Sequence, residues 1–250
     1  MDDTTKRLFL LRPIMLIEKN KNIISISLFQ KTGGHEFLID NKTAEEFAIY
    51  MKKFDDLYKY LAAIVQKHTP LSQPFILDLG VGPGLLAIQI FRKIPQATII
   101  GLDPLIKMLQ LANEKAENSH FQKFESVIGV SENLPLKKNS IDVIVSRFSL
   151  PYWTEPIKSF KEMMRILKPS GKVILEALNS EFPKWKLFLI KIRMLFKRAG
   201  RDVTRYHIDA YKFAYTIEQV EQFFTDVGFT ICLKEGKKNE WKFIIVAQKK

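Results

Sequence analysis

The chain has 250 residues, 46% hydrophobic and 26% charged, which is material for one substantial core and excludes a disordered or fibrous class. Its single cysteine, Cys232, excludes an internal disulfide framework or a cysteine-rich zinc site, and its four scattered histidines lack metal-ligand spacing, so no metal is expected. The formal net charge of +12 favours an anionic partner (nucleic acid, a phosphorylated substrate or an acidic membrane surface) unless it reflects only a lysine-rich background.

In chain order, "MDDTTKRLFLLRP" begins acidic and shows no signal-peptide h-region or cleavage site, which points to the cytoplasm. The β-like runs "LFLLRPIMLIE", "IISISLFQ" and "HEFLID" are separated by turn formers and predict a small β-rich extension over residues 1–40. "NKTAEEFAIYMKKFDDLYKYLAAIVQKH" has helical periodicity, and the loop "TPLSQP" ends it. Strands and helices then alternate. "FILDLG", "ATIIGLD", "FESVIGV", "IDVIVSRF" and "GKVILEAL" read as strands, and "GLLAIQIFRKI", "LIKMLQLANEKAEN" and "PIKSFKEMMRILKP" as helices. Alternation of this kind implies crossover connections and a parallel sheet covered on both faces. The end differs: "IEQVEQFFTDVG" is a helix, and "FTICLKEG" and "WKFIIVAQK" flank a short turn, so they pair antiparallel. Cys232, inside the first of these strands, reads as a buried structural thiol. The longest apolar runs are far below the roughly 20 residues a bilayer crossing needs.

Chemistry concentrates in "ILDLGVGPG", residues 76–84. In a doubly wound sheet the ligand site lies at the carboxyl ends of the strands, and glycines there let a ligand lie against the backbone. A pyrophosphate-binding turn would need glycine at position 85, where Leu85 stands. Asp78 beside Gly80, Gly82 and Gly84 would repel a diphosphate and suits a cationic or ammonium-bearing ligand. Asp103 ends the next strand, where a carboxylate can accept both hydroxyls of a ribose; the alternative is a helix N-cap ahead of Pro104.

"LDLGVGPG", "GLDPL", "SENLPLKKNSIDVIVSRFSLPYW" and "LKPSGKVIL" together resemble the successive motifs of the class I S-adenosylmethionine-dependent methyltransferases, closest to the ubiquinone/menaquinone-biosynthesis and small-molecule group. The resemblance covers about residues 74–178. It implies an α/β, Rossmann-like, doubly wound seven-stranded sheet, mostly parallel with an antiparallel C-terminal hairpin, in a domain over residues 41–250. It implies S-adenosylmethionine as cofactor, with Gly80, Gly82 and Gly84 beneath it and Asp78 orienting its methionine moiety. Asp103 would hold the ribose, Ser131, Glu132 and Asn133 would lie near the adenine, and Phe148 beside the methionine end. Tyr58 would close over the methionine carboxylate or pack in the core. One departure stands out: Val130 replaces the aspartate that often accepts the adenine amine, which leaves a non-catalytic binding protein as an alternative.

No motif names the nucleophile. The Asn-Pro-Pro-Tyr pattern of amino-base methyltransferases would fall where this chain has "SRFSLPYW", and no cysteine lies near the motifs. Tyr152 and Arg147 are the catalytic candidates, the first to hydrogen-bond a nucleophile and the second to hold an anion or pair with an acid; no general base is assigned. Trp153, Tyr206, His207 and Tyr211 are the substrate-facing candidates. Residues 179–215 read as a basic amphipathic lid insertion. Trp185, Phe188, Leu189, Ile192 and Phe196 form an apolar stripe flanked by lysines and arginines, so residues 184–205 suit an anionic membrane or a lipid-like substrate as well as a plain lid. RNA, met by interleaved basic and aromatic residues, is the rival polymer. The expected reaction is methyl transfer to a small or lipid-like acceptor such as a quinone or isoprenoid, with an RNA- or protein-modifying methyltransferase as the alternative.

Overall fold

The computed structural model describes residues 41–195 and 208–250; the expected β-rich extension lies outside them, as do Tyr206 and His207. Helix α1 (Asn41–Met51) and helix α2 (Asp55–His68) precede the sheet, joined by a 3-10 turn at Lys52–Phe54. The long helical period is therefore interrupted. The turn lets Phe47 and Met51 border a cavity while Leu61 and Val65 pack against the sheet.

Strand and helix then alternate as β1 (Phe75–Leu79), α3 (Leu85–Lys93), β2 (Thr98–Asp103), α4 (Ile106–Asn118), β3 (Phe124–Ile128), β4 (Ile141–Arg147), α5 (Pro156–Ile166) and β5 (Leu167–Leu178). After α6 (Lys184–Leu195) come α7 (Ile217–Val227), β6 (Phe229–Glu235) and β7 (Lys242–Lys249). The sheet has seven strands in the order β3-β2-β1-β4-β5-β7-β6. The first five are parallel, and β7 runs antiparallel between β5 and β6. Because the chain winds outward from β1 to β3 and then restarts at β4, the topology switches between β1 and β4. A crevice opens there, at the carboxyl ends of the strands.

Successive strand residues point to opposite faces, and that alternation builds two cores. Ile76 joins Leu61, Val65 and Ile90 beneath α2 and α3. Leu77 joins Phe160 and Phe224 beneath α5 and α7. All seven are fully buried, each worth about 1.5–3 kcal/mol of transfer free energy. Helix α7 is closed at both ends, by a Thr216–Gln219 capping box and by Gly228 at φ +98°.

Two local expectations fail. Helix α5 stops at Ile166 instead of continuing through Pro169, and β5 begins at Leu167. Pro169 offers no N–H and biases Lys168 toward extended backbone. Cys232 is exposed, not buried: β6 is the last strand of the sheet, and Cys232 falls on its outward alternation.

Candidate active site

The turn from β1 into α3 holds its three glycines at φ +77°, +51° and +77°. A Cβ on Gly80 would sit 2.7 Å from the Ser149 side chain, and one on Gly84 2.9 Å from the Ala112 backbone. Nothing lies within 4 Å of the Cβ position at Gly82. Gly80 and Gly84 are thus demanded by neighbouring protein, and Gly82 alone leaves its backbone open to a ligand. Gly80 and Gly82 border a cavity of about 300 Å³, within the small-molecule range, whereas Gly84, expected beneath the cofactor, packs on Ala112 and is not on its wall.

Two buried acids share that cavity. Asp103 accepts the Gly82 N–H at 2.9 Å through Oδ2 and the Leu105 N–H at 2.9 Å through Oδ1. It is not the N-cap of α4, since Leu105 holds that place. A carboxylate has about four lone-pair directions, so it can still accept a diol. Burial pushes Asp103 up to about 6 despite these two hydrogen bonds. Asp78 is pushed up to about 7, first by burial and then by the charge of Asp103. Its Oδ2 is buried without a hydrogen-bond partner. An orphaned carboxylate oxygen on a cavity wall is a place for a cation to bind.

The far end of the cavity is bordered by Gly129, Val130 and Ser131. Glu132 and Asn133, expected beside the adenine, are not on that wall. The Glu132 Oε1 accepts the Thr154 N–H at 2.6 Å and the Glu155 N–H at 3.3 Å, which occupies it at the start of α5. Asn133 closes a turn instead, its N–H donating to the Val130 carbonyl at 3.3 Å. With Val130 apolar, backbone groups are what this end offers a purine.

Across the crevice, Arg147 and Phe148 leave β4. Arg147 Nε donates to Glu176 at 2.6 Å, and Lys242 donates to the other oxygen of the same carboxylate. Glu176 is fully buried. The Arg147 guanidinium lies 4.2 Å from the Tyr58 ring centroid and 4.3 Å from that of Phe148. Phe148 adopts φ +56°, a conformation costing a non-glycine residue about 1–2 kcal/mol. It is held there by its N–H donating to the Glu176 carbonyl at 2.8 Å and by a tilted contact with Trp241. Burial pushes the Tyr58 hydroxyl up to about 12, so it stays protonated at neutral pH. Tyr152 and Trp153 also border the cavity; Tyr152 is 42% exposed at its rim, and Trp153 packs edge-on against Phe160.

The insertion contributes Ala210 to the wall but not Tyr211, whose hydroxyl donates to the Trp241 carbonyl at 2.9 Å. Helix α6 presents Trp185, Phe188 and Leu189 outward, 62%, 61% and 50% exposed. Glu176 and Lys242 were missed in the sequence, although a lone acid inside the apolar run "VILEAL" was a readable signal.

These features fit S-adenosylmethionine. An unpartnered carboxylate oxygen suits its ammonium group, an acid with spare acceptor positions suits its ribose, and an open glycine backbone suits close approach. A sequence profile of the methyltransferase domain matches residues 77–175. The chain is 30% identical over 165 residues to a demethylmenaquinone methyltransferase of Thermotoga maritima, spanning 65% of this chain and 69% of that one. It is 32% identical over 173 residues to a demethylmenaquinone methyltransferase of Chlorobaculum parvum, spanning 68% of each. The solved structure of a SAM-dependent methyltransferase from Aquifex aeolicus shares the fold at 17% identity, with a TM-score of 0.61 over 84% of this chain and 98% of that one.

Proposed function

The chain belongs to the class I S-adenosylmethionine-dependent methyltransferases, and on that premise we propose that its acceptor is a small lipid-like molecule, a quinone or another isoprenoid. The observation that carries this reading is the cavity wall away from the two acids. Phe47, Met51, Phe148, Trp153 and Leu178 make it apolar, with Arg147 as its charged member. Such a wall favours a flat ring or an isoprenoid chain over a phosphate or a peptide. The names of several relatives point the same way, as demethylmenaquinone methyltransferases and a ubiquinone/menaquinone biosynthesis C-methyltransferase, although another is a malonyl-(acyl-carrier protein) O-methyltransferase.

When bound, S-adenosylmethionine supplies a methyl group on a positively charged sulfur, which needs no further activation. What is left for the protein is to align the acceptor and exclude water. Gly82, Asp78 and Asp103 would hold the cofactor, and the apolar wall would hold the acceptor against it. Tyr152 at the rim would hydrogen-bond an acceptor oxygen.

The reading extends to a cytoplasmic protein peripheral to an anionic membrane, with residues 41–250 as the methyltransferase domain and 179–215 as its lid. In α6, Lys184, Lys186, Lys191 and Arg193 accompany outward aromatics with no acidic residue, a composition suited to the headgroup region. No helix among the described residues is long and apolar enough to cross a membrane.

The test is to incubate the protein with methyl-labelled S-adenosylmethionine and source-cell lysate, then partition the label. Label in the organic phase is expected. Label in RNA or protein would replace this acceptor with a polymer.

A further inference from the structure

We infer that Arg147 is a specificity-determining residue that selects an acceptor carrying an ionised oxygen, a phenolate or enolate, and holds it at the carboxyl end of β4. The inference rests on the small-acceptor reading and adds the charge state in which that acceptor is taken up.

The geometry prepares Arg147 for an anion before one arrives. Its side chain is 6% exposed and borders the cavity. Nε is tied to Glu176, and the guanidinium carbon lies 4.2 Å from the Tyr58 ring centroid and 4.3 Å from that of Phe148. With the stem fixed, little rotamer entropy remains to be lost when the terminal amino groups meet a ligand.

The charges explain what the ligand must be. Glu176 is fully buried and already accepts from Lys242, so Arg147 is not needed to neutralise it. Arg147, Glu176 and Lys242 together carry one positive charge in excess. A buried excess charge is costly unless an anion meets it. Asp78, on β1 beside β4, is close enough to Arg147 for the guanidinium charge to favour its ionised form, yet its spare oxygen makes no hydrogen bond to it. The carboxylate hydrogen-bonded to Arg147 among the described residues is Glu176, which Lys242 shares, so the guanidinium can take a second anion from the cavity.

Among the described residues, the wall away from the two acids offers no base for a neutral hydroxyl. No described histidine borders the cavity, and Tyr58 holds its own proton. A fixed cation removes the need for one by lowering the ionisation point of the acceptor, typically by about 1–3 pH units for an adjacent opposite charge. The hydroxyl proton leaves to bulk water as the oxyanion is taken up. The retained electron pair raises the nucleophilicity of that oxygen, and of the ring carbons conjugated with it.

The experiment uses 1-naphthol, whose ionised form absorbs at longer wavelength, and its methyl ether as a probe that cannot ionise. Both are titrated with the full chain, without cofactor and again with S-adenosylhomocysteine. Naphthol bound to the wild type should ionise about 1–3 pH units below its value in water. Arg147→Gln should abolish that displacement, Arg147→Lys should keep part of it, and the methyl ether should bind both alike. Calorimetric affinity of Arg147→Gln for S-adenosylhomocysteine should stay within about threefold of wild type. Four results overturn the inference: no naphthol binding, wild-type naphthol titrating as in water, an unchanged displacement in Arg147→Gln, or a tenfold loss of S-adenosylhomocysteine affinity in that variant with naphthol unaffected. The last would assign Arg147 to the cofactor's carboxylate. Should Arg147→Gln fail to fold, the wild-type titration and Arg147→Lys decide. A displaced naphthol titration with no label in the organic phase would instead refute the lipid-like acceptor and leave the role of Arg147 standing.

Discussion

Asp78 gives the sharpest stability test, because its burial sets a sign and a pH window that a neutral isostere removes. Its carboxyl is raised from an ordinary 3.8 to about 7, mainly by burial. The folded protein without cofactor therefore keeps a proton that the unfolded chain has released. The stability carried by that proton is complete below 3.8 and is lost as pH rises through about 7. Between pH 5 and pH 7 the loss accumulates at about 1.4 kcal/mol per pH unit, or roughly 2.7 kcal/mol in all, and it is flat above. Asp78→Asn has no such proton. Its stability relative to wild type should improve by roughly 2.7 kcal/mol between pH 5 and pH 8, or roughly 5–10 °C in melting temperature for a chain of this size. The difference between the two pH values is diagnostic, because any fixed cost of seating the amide cancels in it. The assay is thermal unfolding of both proteins at each pH, without and with S-adenosylmethionine. The ligand should stabilise the wild type more than the variant, since the variant lacks the negative charge that meets its ammonium group. Parallel pH profiles for the two proteins would refute the assignment of a buried, protonated Asp78.

Asp103→Ala should weaken S-adenosylhomocysteine binding by about 10- to 100-fold, the range for hydrogen bonds to a charged group, and unchanged calorimetric affinity would remove Asp103 from the ribose. Gly84→Ala places a Cβ 2.9 Å from the Ala112 backbone at φ +77°, so it should cost about 2–5 kcal/mol in denaturant unfolding. Gly82→Ala meets no neighbour, so it should cost about 1–2 kcal/mol while reducing cofactor affinity more than Gly84→Ala does per unit of stability lost. Reversing Lys184, Lys186, Lys191 and Arg193 to glutamate should abolish sedimentation with phosphatidylglycerol vesicles, since each basic residue near an anionic surface contributes about 1 kcal/mol. Persistent sedimentation would leave α6 without a membrane role.

What could be read from the sequence follows from how locally each feature is built. The strand–helix alternation, the antiparallel ending and the glycine turn are each written in consecutive residues. So is the placement of Asp78 and Asp103, because a strand end followed by a turn fixes where its last side chains emerge. Glu132 is absent from the cavity wall for the opposite reason: its place depends on the start of α5, where Thr154 and Glu155 present N–H groups that claim its carboxylate. Cys232 failed because an apolar-looking strand says nothing of whether it lies inside the sheet or at its edge. The helical stripe of α6 was legible as a period, yet periodicity cannot say whether a face is covered.

The positive cluster shows the limit most directly. Arg147, Glu176 and Lys242 come from β4, β5 and β7, separated by 29 and 66 residues, and only the sheet order brings them together. Each nevertheless left a trace, as a single charge at the end of or within an apolar strand. A strand buried on both faces tolerates such a charge only where an opposite one meets it, so lone charges in neighbouring strands must be read as a set. Here the set contains two cations and one anion. That imbalance on the wall of an apolar cavity is what joins the architecture of this sheet to the chemistry of its acceptor.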